Sequence, residues 1–250
     1  TYDTLDGVRH AIETGRRLRA RGYDLAGIRL DSGDLAWLSR EARAMLDAAG
    51  FSRTLIVASN DLDERLIESL KHQGARIDVW GVGTCLVTGK DQGALGGVYK
   101  LSAIRAPGAP WSPRVKVSES SVKTSIPGVQ QVRRFLQGGE AIGDAIYDSC
   151  APLPTTWTIV DPTDPLRCAT IPAAATGHDL LQPLILNGQP AGAPESLGEA
   201  RDRAKRELAL FHSGIRRLDN PHAYPAGLEL TLQERRARMV LGIRQEGARA

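Results

Sequence analysis

Apolar residues recur every three or four positions over residues 5–21, and the stretch 25–30 that follows is a short apolar run. The first pattern predicts an amphipathic helix and the second a buried strand. The alternation then repeats, with a helical stretch at 35–49, a strand at 54–58, a helix at 62–73 and a strand at 77–80. Strand centres about 23–28 residues apart have the spacing of βα units in a parallel sheet or barrel. Each strand closes on a polar cluster: Asp31-Ser32-Gly33-Asp34, Ser59-Asn60-Asp61 and Gly81-Val82-Gly83-Thr84. Ser59 to Asp61 read as N-cap residues for the helix after them, and Asp34 as the cap of the helix at 35. Parallel α/β folds gather their sites at the C-terminal ends of strands, so clusters distant in sequence are expected to converge in space.

Proline changes the pattern. None of the 14 lies within residues 1–100, twelve lie within 101–200 and two beyond. Proline blocks helix interiors and central strands, so the first hundred residues can be regular α/β and the second hundred cannot. Residues 98–104 and 114–118 alternate around a Pro/Gly loop at 106–113, which predicts antiparallel pairing. Residues 150–195 predict loop and short strand, with a strand at 180–186. Ser196 stands three residues before Glu199, a capping box for a helix over 196–212, and a further helix is expected over 228–242. The resulting division is an α/β part with the site loops at 1–100, a Pro-rich β/loop region at 101–195 and a helical segment at 196–250.

At 250 residues, 42% hydrophobic and 24% charged, the chain has the composition of a globular protein and the length of one or two domains. It has no apolar run of about 18 residues, which argues against a membrane span. Its start lacks the basic-then-apolar order of a signal peptide. A net charge of +3 is too small to point to nucleic acid. Residues 201–250 hold 11 basic and 6 acidic residues, but these alternate with Leu and Ala at helical spacing and read as a solvated helix face. Cys85, Cys150 and Cys168 form no C-x-x-C and cannot all pair, an odd and sparse count that fits a reducing cytoplasm.

The polar clusters carry the candidate chemistry. In Gly81-Val82-Gly83-Thr84, glycines let successive backbone N–H groups approach an anion, and Thr84 adds a hydroxyl donor; a plain tight turn is the simpler alternative. Asp31 and Asp34 flank a Ser32-Gly33 turn and can hold Mg2+ through water or accept hydrogen bonds from ribose hydroxyls. Arg29, two residues before Asp31, shares its strand face and can stack on a planar ring or pair with a carboxylate or phosphate. Asn60 and Asp61 offer a second polar pair. These residues describe an α/β enzyme or binding protein for a phosphorylated, hydroxylated small molecule, and they name no reaction.

Six motifs in order resemble the nicotinate phosphoribosyltransferase family: residues 1–4 (T-Y-D-T), 29–35 (R-L-D-S-G-D-L), 59–64 (S-N-D-L-D-E), 78–84 (D-V-W-G-V-G-T), 116–127 (K-V-S-E-S-S-V-K-T-S-I-P) and 218–225 (L-D-N-P-H-A-Y-P). The resemblance implies part of an irregular type II phosphoribosyltransferase α/β barrel, followed by a β-rich and helical C-terminal region. It implies a homodimer whose site is completed across subunits; the cysteine count, the small net charge and the lack of a long apolar run add the expectation of a cytoplasmic protein with neither nucleic acid nor membrane as partner. The implied reaction joins nicotinate to phosphoribosyl pyrophosphate, giving nicotinate mononucleotide and pyrophosphate in NAD biosynthesis. Mg2+ takes part, and ATP is hydrolysed by way of a phosphorylated histidine. Carried over residue by residue, Arg29 and Asp31 are the catalytic pair. Arg29 meets the pyridine ring or its ribosyl neighbourhood, and Asp31 meets the ribose or Mg2+-pyrophosphate. Ser32 and Gly33 shape the turn, Asn60 and Asp61 line the cleft near the ribose, and Gly81, Gly83 and Thr84 cradle the 5′-phosphate.

Family chains extend further on the N-terminal side, so the resemblance implies a C-terminal portion. The phosphorylated histidine, an aromatic that closes on nicotinate and the first barrel strands are expected in the other half. None of His10, His72, His178, His212 and His222 stands in a matching motif. A half-barrel has unpaired strand edges and bare apolar faces, so the isolated chain is expected to aggregate or stay partly unfolded. A quinolinate or nicotinamide phosphoribosyltransferase and a non-catalytic phosphate-binding fragment are the alternative readings; the wording of residues 29–35 and 59–64 argues against the first two.

Overall fold

Asp3 starts the first helix, α1 (Thr4–Arg19), by accepting a hydrogen bond from the Asp6 N–H, and three arginines sit in its last turn. Both arrangements complement the helix dipole. Its apolar stripe buries Val8 and Ile12. The chain then forms β1 (Gly27–Leu30), α2 (Leu35–Ala48), β2 (Leu55–Ala58), α3 (Glu64–His72), β3 (Val79–Trp80) and the short α4 (Thr84–Thr88). The computed structural model describes residues 3–118 and 124–247. They fall into two compact units, Thr1–Gly97 and Val98–Ala250.

In the first unit β1, β2 and β3 pair in parallel in that order, with Leu30, Ala58 and Trp80 side by side. The three strands therefore end level. One sheet face carries Leu30, Ile56 and Ala58 into a core with Leu38, Ala42 and Leu46 of α2 and the fully buried Phe51. The opposite face carries Arg29, Leu55, Val57 and Val79, and Leu55 and Val79 are exposed. The parallel portion is an open three-stranded sheet. Asp34 caps α2 by accepting from the Trp37 N–H. The cap of α3 is Asp63, which accepts from the Leu66 N–H, so the capping role expected for Ser59 to Asp61 falls two residues later. Asn60 and Asp61 instead take left-handed backbone, with φ of 98° and 44°.

The second unit opens with a two-residue pair, β4 (Ala103–Ile104) against β5 (Ser112–Pro113). It is shorter than the pairing expected over 98–118, because the prolines leave few ladder donors. A long hairpin absent from the sequence reading follows, β6 (Gln130–Gln137) and β7 (Glu140–Asp148), turned by Gly138 and Gly139 at positive φ. After β8 (Thr158–Val160) and β9 (Cys168–Thr170), the strand expected over 180–186 is replaced by β10 (Thr176–Asp179) and a small hairpin, β11 (Ile185–Leu186) with β12 (Gln189–Pro190). Helix α5 (Leu197–Ala209) has both halves of the capping box between Ser196 and Glu199. Residues 228–242 do not form one helix, since β13 (Ala226–Glu229) takes the first two and α6 (Leu230–Gly247) the rest.

The larger sheet runs β10-β6-β7-β13-β8-β9. Its two edge strands are joined by residues 171–175 alone, a span of at most about 22 Å from Thr170 to Thr176. A flat six-stranded sheet would separate its edges by about 24 Å, so this one must coil. Its inner side packs Phe135, Ala145, Ile159 and Ile171 with Trp157. Across the hairpin Arg134 forks onto Asp144 at 2.9 and 2.8 Å, and the Tyr224 hydroxyl donates to the same carboxylate.

Candidate functional site

Level strand ends bring the three polar clusters onto one shelf of the first unit. Ser59 follows β2 directly and its N–H donates to the Leu30 carbonyl, at 3.0 Å, while the Gly81 N–H donates to the Ala58 carbonyl, at 2.7 Å. Around Ser59 the side chains close a ring. Arg29 Nε donates to Ser59 Oγ at 2.8 Å, Ser59 Oγ donates to Asp31 Oδ1 at 2.5 Å, and Arg29 Nη2 lies 2.9 Å from the same Oδ1. Strand alternation placed Arg29 and Asp31 on one face, and they meet there. The Ser59 hydrogen bond first, then the bond and charge of Arg29, hold the Asp31 carboxyl below its ordinary value, against an opposing desolvation penalty. Both side chains are more than half exposed, at 62% and 56%, so the ring stands on an open surface. Asp31 Oδ2 and Arg29 Nη1 lie outside it.

The turn after β1 passes through the exposed Ser32 and through Gly33 at φ 78°, a left-handed conformation that favours glycine. Asp34 is spent on the α2 cap. Asn60 and Asp61 are both exposed, and two successive non-glycine residues at positive φ are a strained way to leave a strand.

Beside Ser59 the third cluster runs through Gly81 and Gly83 to Thr84, the first residue of α4. A Cβ on Gly81 would sit 3.2 Å from the Ala58 carbonyl oxygen and 3.4 Å from the Ser59 Cβ, while one on Gly83 would meet nothing within 4 Å. Gly81 thus serves close packing, and Gly83 faces open space. No side chain caps α4, which leaves its first N–H groups for an outside acceptor. Lys90, just past α4, donates to Asp63 Oδ2 at 2.5 Å while Asp63 Oδ1 caps α3. That hydrogen bond and charge hold the Asp63 carboxyl low and the Lys90 ammonium high. It ties the element after the glycine cluster to the element after the Ser59 cluster.

Arg29, Asp31, Ser32, Gly33, Asn60, Asp61, Gly81 and Gly83 all lie at the ends of β1, β2 and β3 or in the turns after them, and Thr84 opens α4 directly after the last of these turns. Sequence reasoning treated Ser59 as a helix cap and passed over Lys90. Ser59's position opposite Asp31 depends on pairing between strands 28 residues apart, which no local pattern reveals. Motif residues 1–2 and 119–123 lie outside the described residues. His222, in the last motif, donates its N–H to the Gly214 carbonyl and stacks on His212 at 6.1 Å, a turn contact within the second unit. Cys85, Cys150 and Cys168 are free. Among the described residues no helix is long and apolar enough to cross a membrane.

Residues 129–236 match the family described as nicotinate phosphoribosyltransferase C-terminal domain. A nicotinate phosphoribosyltransferase of Bacillus subtilis is 50% identical over 153 residues, 59% of this chain and 31% of that protein. One from Mycobacterium tuberculosis is 37% identical over 231 residues, 91% of this chain and 43% of that protein. The crystal structure of human nicotinic acid phosphoribosyltransferase superposes with a TM-score of 0.64 at 29% identity, covering 87% of this chain and 41% of that one. The chain spans less than half the length of the curated relatives it matches. From its ordered motifs, its C-terminal domain and these relatives, the chain belongs to the nicotinate phosphoribosyltransferase family.

Proposed function

We propose that the chain is part of a nicotinate phosphoribosyltransferase and supplies its phosphoribosyl shelf, within an α/β barrel of the type II kind. The observation that carries this reading is the convergence of the Arg29–Ser59–Asp31 ring with the open Gly83 turn on level strand ends. In the reaction the pyridine nitrogen of nicotinate bonds to the anomeric carbon of phosphoribosyl pyrophosphate as the bond to pyrophosphate breaks. Positive charge builds on the ribosyl ring and negative charge on the leaving group. Asp31 Oδ2 accepts from ribose hydroxyls, and Asn60 and Asp61 border the same sugar. The backbone N–H groups around Gly83 and the Thr84 hydroxyl hold the 5′-phosphate. Arg29 meets the pyridine ring or its ribosyl neighbourhood. Fixing both reactants in line supplies much of the acceleration.

Mg2+ would ride on the substrate's phosphates. Among the described residues no group of three His, Cys, Asp or Glu could hold a metal, and one free oxygen of Asp31 suits an ion that reaches protein through water. When bound it would neutralise charge on the departing pyrophosphate. Coupling to ATP, a cytoplasmic setting and a homodimer belong to the same proposal and rest on the resemblance. Product formation by the intact protein with phosphoribosyl pyrophosphate and, in turn, nicotinate, nicotinamide and quinolinate tests the reading. Nicotinate is expected to give the highest kcat/KM, and a preference for either of the others would overturn it.

A further inference from the structure

Ser59 joins the end of β2 to the end of β1, yet neither the helix cap nor the motif reading accounts for its hydroxyl. The α3 cap is Asp63, and the Ser59 backbone is already anchored by its N–H bond to the Leu30 carbonyl. The hydroxyl instead takes the Nε proton of Arg29 and gives its own to Asp31 Oδ1. This decides how Arg29 and Asp31 pair. An arginine and a carboxylate left to themselves favour a two-bond fork that uses both carboxylate oxygens. Ser59 takes the Nε proton, and the approach of Arg29 to Asp31 is from Nη2 to Oδ1 at 2.9 Å, the same oxygen that accepts from Ser59 Oγ. Asp31 Oδ2 stays out of the pair. A Cβ on Gly81 would crowd the Ala58 carbonyl oxygen at 3.2 Å, so the glycine keeps the backbone just before Ser59 in place.

We propose that Ser59 is a positioning residue for phosphoribosyl transfer, a wedge that keeps Arg29 and Asp31 from closing on each other and so keeps Asp31 Oδ2 available to the ribose. The inference rests on the phosphoribosyl reading of the shelf. Without the hydroxyl, the pair closes into its fork and the ribose must reopen it. Steady-state kinetics of Ser59→Ala and Ser59→Thr in the intact protein, with each substrate varied separately, test it. Ser59→Ala is expected to lower kcat/KM for phosphoribosyl pyrophosphate about 10- to 100-fold, the size of a lost hydrogen bond to a charged group. The KM for nicotinate should stay within about twofold. Ser59→Thr, which keeps the hydroxyl, should stay within about threefold of the parent. Ser59→Cys, nearly isosteric but a weak hydrogen-bonding group, should fall with Ser59→Ala and serves in its place should the alanine variant not fold. A Ser59→Ala enzyme equal to the parent, or a threonine variant as impaired as the alanine one, would overturn the proposal and leave the functional reading intact. A parent protein that forms no nicotinate mononucleotide would overturn both.

Discussion

A Cβ on Gly227 would lie 2.2 Å from the carbonyl oxygen of Val160 and 2.8 Å from its carbon, both backbone atoms that cannot swing aside. Gly227→Ala is expected to cost about 3 kcal/mol, read from the midpoint of chemical denaturation; a cost below about 0.5 kcal/mol would show that β13 can shift away from β8. Arg29 is the opposite kind of residue, exposed and bonded only at the shelf. Arg29→Ala should leave the thermal midpoint within about two degrees and lower kcat/KM at least about 100-fold. A large fall in the melting temperature with activity retained would mark it as structural. At this scale the sequence was half legible. Period-two alternation was enough to put Arg29 and Asp31 side by side. The wedge between them comes from another strand, and only the register Leu30↔Ala58 brings it there.

Elements with a strong local signal were readable, among them the three βα rounds, the Asp34 cap and the Ser196–Glu199 box. Ser196→Ala should cost about 1 kcal/mol by removing that cap, measured as the difference in unfolding free energy. An unchanged stability would mean that α5 is held by packing alone. The β6–β7 hairpin escaped notice although Gly138-Gly139 is a turn signal. Val132, Arg133 and Arg134 are all partly buried, because Arg133 pairs with Asp179 on one face and Arg134 with Asp144 on the other. Such ion pairs erase the apolar/polar alternation by which a strand is recognised. The strand expected at 180–186 failed for a related reason: Asp179 and His178 are polar yet belong to β10, since they pair with Arg133 and Arg134 of β6.

For the whole molecule, the coiled sheet is held partly by charge. Asp179 accepts from Arg133 Nε and from the Tyr147 hydroxyl, and the arginine bond first, with the tyrosine bond behind it, keeps its carboxyl below the ordinary value of 3.8 despite some desolvation. A depressed folded-state value means stability that is full above the unfolded value and is lost as pH falls through the folded one. Thermal midpoints measured from pH 6 down to about 3 should therefore drop in the parent chain, and drop less steeply in Asp179→Asn, which is less stable at neutral pH. Parallel curves would remove this pair from the acid response. In the first unit, Leu55 and Val79 are exposed on the sheet face that also carries Arg29. The central claim, that three level strand ends build one phosphoribosyl site, is tested most directly by calorimetric titration of phosphoribosyl pyrophosphate into the intact protein and its Asp31→Asn and Gly83→Val variants. Saturable binding by the parent, weakened at least about tenfold in each variant, is the predicted result; equal binding by all three would contradict it.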